Sequence, residues 1–223
     1  MIKKEFSPKY PVPLVEQIVE FLTSAIIGGQ LEGGEHLVEN ELQRNYGISR
    51  ASIREAFRVL EKNGLVVIVP RKGTFVRKIQ RKDIKENFTI RAHLEGLAAR
   101  LATEQFDERD IRKMETIYSG MKEGIEKMDF TWYSKYHHEY HDTYINSCGN
   151  DSLIRILGTL RIQSIWYRFV NDYFRENSKY CAQVHREILD LFIEKEVDRV
   201  ETLVKSHMMF ALNWYLESST ARE

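Results

Sequence analysis

Apolar residues recur three and four positions apart through most of this chain, the spacing of helices that bury one face, and only short strand-like runs interrupt the pattern. The first stripe, Val15, Ile18, Leu22, Ala25 and Ile26, predicts a helix over 14–27 that stops at Gly28-Gly29. After a glycine-rich turn, His36-Leu37-Val38 fits a short strand, and 39–46 fits a second helix closed by Gly47, a residue free to take a positive φ. A tight turn leads to a third helix. Ser49 or Ser52 can cap it, Ser52 with Glu55 matches a capping box, and Ile53, Ala56, Phe57 and Leu60 form its buried stripe as far as Gly64. Residues 65–69 and 74–77 then read as two strands around Pro70-Arg71-Lys72-Gly73. Helices, a sharp turn and a hairpin with a basic tip predict a winged helix-turn-helix.

From Lys82 onward only helical periodicity remains, with no proline and few glycines, so the second part of the chain should be an all-helical bundle. Candidate helices span 83–105, 108–127, 130–147, 151–175, 179–194 and 199–217. Asp107 should cap the second, and Asp198, with Glu201 completing a capping box, the last. The expected fold class is mainly α: a winged helix-turn-helix over 1–78 followed by an all-α effector domain over 79–223.

Charge changes the picture only when it is read locally. The formal net charge is zero. Between Leu42 and Lys82, however, eleven basic residues face two acidic ones, a local excess of nine. Arg50 and Arg54, four apart at the start of the third helix, share a face, and their small neighbours Ala51 and Ser52 allow close approach to a groove or phosphate. A charge pair on a helix is ordinarily just a solvated face. Here a second basic cluster lies on the wing and acids are nearly absent between the two, which points to double-stranded DNA. No run of eighteen apolar residues and no signal-peptide core occurs, which predicts a cytoplasmic protein. Cys148 and Cys181, without CxxC spacing, read as buried thiols.

The helical part carries a histidine constellation. A turn near 195–198 sets His185 and His207 about level across an antiparallel helix pair. His137 and His141, four apart, share a face as two ligands of one metal would. Four imidazoles from three helices can therefore converge on a divalent transition metal such as zinc or nickel. His138 and Asp142 offer the same spacing rotated by one residue. For His36 and His93 an ordinary surface or hydrogen-bonded role is expected. Tyr133, Tyr136, Tyr140, Tyr144, Trp166 and Tyr167 would line a cavity or form core. A metal-dependent hydrolase is an alternative, but Glu139 and Asp142, the nearest acids, lie off the His137/His141 face.

The runs LVENELQRNYGISRASIREAFRVLEKNGLV and RKGTFV resemble the DNA-binding domain of the GntR family of bacterial regulators. The resemblance implies DNA contacts from Ser49, Arg50, Ser52 and Arg54 and from Lys72 and Gly73 at the wing. It departs at Asn40, where some members have arginine. RAHLEGLAARLA, YHHEYHDTYINSCGN, HREIL and KSHMMFAL resemble the C-terminal FCD-type ligand domain of the FadR branch. That likeness implies a homodimer, an organic-acid effector, no enzymatic activity, and metal ligands at His141, His185 and His207. His137 stands where members usually have aspartate, which removes a negative charge from the site. Arg91 and Arg161 match basic positions expected to meet an effector carboxylate. A metal-free regulator answering to an acyl-CoA is the remaining alternative within the family.

Overall fold

The computed structural model describes residues 12–163 and 167–220, and the chain packs as two units: the first runs to Gln80 and also takes in Ile162, Gln163 and Tyr167, and the second comprises the remaining residues from Arg81 on. In the first, α1 (Leu14–Ile27), α2 (Glu39–Tyr46) and α3 (Arg50–Lys62) enclose a core of Ile18, Leu22, Ile53, Phe57 and Leu60. Beside them β1 (His36–Leu37), β2 (Val66–Val69) and β3 (Gly73–Val76) form an antiparallel sheet in the order β1-β3-β2. The winged helix-turn-helix is present as the periodicity predicts. Gly47 takes φ 68° between α2 and α3, which a side chain with a Cβ adopts only under strain.

At the start of α3 the two candidate caps are resolved. Ser49 occupies the N-cap and its hydroxyl accepts from the backbone N–H of Ser52 at 3.2 Å. Glu55 is not part of a capping box but pairs with Arg58, one turn along.

The second unit is helical: α4 (Arg81–Gln105), α5 (Glu108–Glu126), α6 (Phe130–Asn146), α7 (Asp151–Gln163), α8 (Tyr167–Ile193) and α9 (Val197–Thr220). Asp107 caps α5 in a complete capping box with Asp110. Helix α4 runs against α9 closely enough that a Cβ on Gly96 would lie 2.9 Å from the carbonyl oxygen of Glu201. Ala98, Ala99 and Ala102 of α4, Tyr140 and Tyr144 of α6, Val184, Ile188 and Phe192 of α8, and Val200 and Val204 of α9 belong to one buried cluster.

Two expectations for this unit are corrected. No helix boundary falls between 175 and 179. The polar run Glu176-Asn177-Ser178 suggests one, yet Asn177 donates its amide to the Tyr173 carbonyl at 3.1 Å, and buried Phe174 and Cys181 carry the helix stripe across it. Asp198 does not cap α9 but lies inside its first turn, and both Asp198 and Glu201 reach across to Arg100 of α4. The preceding turn is made by Lys195 at φ 59°.

Candidate functional site

Helix α6 enters the helical unit with aromatic and histidine residues on its inner face. Tyr133, Tyr140 and Tyr144 are fully buried core, and Tyr140 donates its hydroxyl to the His185 carbonyl at 2.8 Å. Trp166 lies outside the described residues, as does the side chain of Tyr167. Between the tyrosines, His137 and His141 face His185 of α8 and His207 of α9, and one ligand nitrogen from each of the four lies within 4.8 Å of every other. His141, His185 and His207 are buried and His137 is half-buried. The register rotated by one residue is not used: His138 turns to the Ser134 carbonyl at 2.6 Å, and Asp142 pairs with Arg161.

The hydrogen bonds around the rings constrain their tautomers. His185 Nδ1 lies 2.7 Å from the Cys181 carbonyl, which can only accept, so Nδ1 carries a proton. His141 Nδ1 lies 3.0 Å from Glu95 Oε2 and 2.6 Å from the Tyr144 hydroxyl. One consistent set has His141 Nδ1–H donating to the carboxylate and Tyr144 O–H donating to the same carboxylate at 3.2 Å. Both remaining nitrogens, His141 Nε2 and His185 Nε2, then present lone pairs to each other across 3.3 Å. Two lone pairs at that distance repel unless a cation lies between them. Four nitrogens at about 2.0–2.1 Å from a tetrahedral zinc are about 3.3–3.4 Å apart. His207 Nδ1 adds a buried ring nitrogen without a hydrogen-bond partner among the described residues. The donor set fits a divalent transition metal.

Sequence reasoning missed Glu95, which shapes the electrostatics of this site. It is fully buried on α4, one turn after Arg91, whose Nε and Nη2 donate to Oε1 at 3.0 and 2.6 Å while His141 and Tyr144 hold Oε2. Burial raises the carboxyl's pKa, but the Arg91 guanidinium and His141 more than offset this and hold it well below the usual range. A carboxylate on the far nitrogen of a ligand histidine fixes the ring and raises its basicity. The available signal was an acid amid Leu94, Gly96, Leu97 and Ala98, with arginine four residues before it. Burial and the neighbouring imidazoles push His137 and His185 well below 6.5, and push His207 down to about 3. Neutral rings with one free nitrogen lone pair are the form that ligates metal.

Of the two arginines expected near an effector, Arg91 is buried against Glu95, and Arg161, 16% exposed in its side chain, is held by the half-exposed Asp142.

In the first unit, Ser49, Arg50 and Arg54 are exposed or at the edge of α3, with Ser52 half-buried and hydrogen-bonded to Ser49. A depression of about 320 Å³ is lined by Arg50, Arg54, Glu39, Asn40, His36 and the wing residues Gly73 and Thr74. Arg50 and Arg54 of α3 and Gly73 thus border one concavity. Lys72 is exposed at the hairpin tip, next to Arg71 at φ 63°.

A winged helix-turn-helix with a basic edge, joined in one chain to a helical unit with an internal polar site, defines a transcription regulator. Residues 14–76 match the bacterial regulatory proteins of the gntR family and residues 86–210 match the FCD domain, so the chain belongs to the gntR family of regulators that carry an FCD domain. The HTH-type transcriptional regulator YdhC of Bacillus subtilis is 26% identical over 91% of each chain. The probable D-xylose utilization operon transcriptional repressor of Paenarthrobacter nicotinovorans is 28% identical over 87% of this chain and 85% of its own. Among solved structures, McbR/YncC of Escherichia coli superimposes with a TM-score of 0.72 over 92% of this chain and 99% of its own, at 18% identity. A GntR regulator from Rhodococcus sp. RHA1 gives 0.72 over 91% and 97%, at 21% identity; both likenesses show the fold. These families and relatives are regulators, not enzymes. No described helix is long and apolar enough to cross a membrane.

Proposed function

We propose that this regulator binds operator DNA as a cytoplasmic homodimer and that a small carboxylate, bound at a divalent metal in its helical unit, alters its operator affinity. The observation that carries the reading is the approach of His141 Nε2 and His185 Nε2 to 3.3 Å inside a cluster completed by His137 and His207. These four histidines would hold the metal. When bound, the ion supplies a Lewis-acidic positive centre that attracts an anion. Glu95 orients His141, and the Cys181 carbonyl orients His185.

Since His137 contributes no charge where an aspartate would, the metal retains more positive charge toward an anionic effector. Arg161 supports the same preference, because an effector carboxylate can replace its half-exposed partner Asp142. Arg91, already matched to Glu95, acts on the effector through the field it adds to the site. Zinc closed by four imidazoles leaves no position for the effector, whereas nickel, which accepts more ligands, does. Nickel is the ion this arrangement favours when an effector must coordinate directly.

On the DNA side, Ser49, Arg50, Ser52, Arg54, Lys72 and Gly73 form the contact set, supported by the concavity that Arg50, Arg54 and Gly73 share. Two copies of the winged helix would read the two half-sites of an operator. Effector binding shifts the dimer between two spacings of those winged helices, and only a difference in effector affinity between the two states can drive the shift. The test is operator affinity of the metal-loaded protein across a panel of di- and tricarboxylates. At least one acid should change the operator Kd at least fivefold in the native protein and not in His141→Ala. An unchanged Kd across the panel with acids that demonstrably bind would overturn the coupling.

A further inference from the structure

Helices α2 and α3 are joined by two side-chain rungs that the DNA-contact set leaves unexplained. Arg54 donates its Nε–H to both oxygens of Glu39, at 3.1 and 3.0 Å. Arg50 donates its Nε–H to Gln43 Oε1 at 3.0 Å. Glu39 and Gln43 are four apart on α2, as Arg50 and Arg54 are on α3, so the rungs pair the helices in antiparallel order, 39 with 54 and 43 with 50. Neither Nη group of Arg50 or Arg54 has a hydrogen-bond partner among the described residues.

The geometry is directional. A guanidinium is a rigid planar fork, and when Nε–H is held from the α2 side the end-on edge made by the two Nη groups stays open. That edge is the one that bonds guanine O6 and N7 together in the major groove. An arginine side chain otherwise samples many rotamers, and holding Nε before binding removes part of the ordering cost. Arg54 remains 63% exposed in its side chain, so the hold does not sequester it from DNA. The two rungs also differ in charge. Glu39 neutralises Arg54 locally, so Arg54 gains little from any phosphate and most from an acceptor pair of the right shape. Gln43 leaves the charge of Arg50 intact, which suits attraction to the backbone.

We propose that Glu39 and Gln43 are positioning residues of the DNA interface, and that Glu39, by aiming and neutralising Arg54, determines specificity for a guanine in each operator half-site. The proposal rests on the reading of Arg50 and Arg54 as DNA contacts. An acidic residue in the first turn of a helix also has a plain role in complementing the helix N-terminus, but that role would not alter base preference.

The test uses the full-length protein and an operator selected from a randomised duplex pool, with affinities measured at one fixed salt concentration for the operator and for each of its single-base variants. Arg54→Ala should cost about tenfold or more in discrimination at one base pair per half-site, the scale of a lost bidentate contact. Glu39→Ala should reproduce the loss at that same base pair, leave the other positions within about twofold, and bind unrelated DNA as well as or better than the native protein, because a negative charge has gone from the interface. Glu39→Gln, which keeps an acceptor for Nε, should restore most of the discrimination. If Glu39→Ala instead tightens binding to every duplex by one factor and leaves the preference profile unchanged, Glu39 is only a repelling charge and the proposal fails. A Glu39→Gln profile as flat as that of Glu39→Ala would likewise refute aiming through Nε. If Arg54→Ala leaves the profile untouched, the DNA-contact reading of Arg54 is itself wrong and the proposal falls with it, an outcome distinct from failure at Glu39 alone.

Discussion

Replacing Arg91 with methionine probes the buried charge pair behind the histidine centre. Methionine keeps the unbranched stem but removes the two N–H groups that donate to Glu95 Oε1 at 3.0 and 2.6 Å, while the carboxyl remains fully buried. Breaking a buried ion pair by removing one partner costs about 3–5 kcal/mol, because an uncompensated charge is left behind. Oε2 still accepts from His141 and Tyr144, which places the loss at the lower end, about 3 kcal/mol. The double variant Arg91→Met with Glu95→Leu removes both charges and should recover at least half of that loss. Urea unfolding of metal-stripped protein, followed by far-ultraviolet circular dichroism, reads the change directly. With a slope of about 2–3 kcal/mol per molar, the single variant should shift the midpoint down by about 1 M or more. A loss under about 1 kcal/mol, the worth of an exposed pair, would refute the claim that Glu95 is held by burial and charge together. A double variant as damaged as the sum of its singles would refute it equally.

Acidification should destabilise the metal-stripped protein in a defined window. His137, His185 and His207 have folded-state pKa values below 6.5, so the unfolded chain binds more protons below that pH; their stability contribution is complete above 6.5 and is lost as pH falls, for His207 until about 3. Each site contributes about 1.4 kcal/mol per pH unit below 6.5, so urea midpoints should fall clearly between pH 7.5 and 5.5, and a midpoint that rises would contradict the burial of neutral imidazoles. Gly124→Ala should destabilise by about 1–3 kcal/mol although alanine is the better helix former, because its Cβ would lie 2.6 Å from the Tyr133 backbone nitrogen, which cannot swing aside; thermal unfolding checks the sign.

Much of this architecture is legible where one local rule decides the outcome. The stripe Ile53, Ala56, Phe57 and Leu60 requires a helix that faces a core, and the glycine at 47 allows the turn before it. The convergence of the histidines follows from helical spacing combined with one hairpin turn. Boundaries were read less well where polar side chains have two options. Asn177 can stop a helix or bond back to its own helix, and only the burial of Phe174 and Cys181 beside it decides in favour of continuation. Asp198 can cap or reach across, and Arg100 on a helix nearly a hundred residues away takes it. Glu39 and Gln43 were hidden for the same reason, since each acts through a partner on another helix; for Glu95 the spacing to Arg91 shows the ion pair, but nothing in it shows that the other oxygen meets His141 and Tyr144 of α6.

Metal content is the direct measurement. Protein purified without chelators or affinity metals, analysed by elemental mass spectrometry beside His141→Ala and His207→Ala, should carry close to one nickel, zinc or similar divalent ion per chain, and each variant should lose it while retaining its helical circular dichroism. Native protein that holds no metal even after incubation with nickel or zinc, or variants that keep it at full stoichiometry, would contradict the assignment of the four histidines as a metal centre.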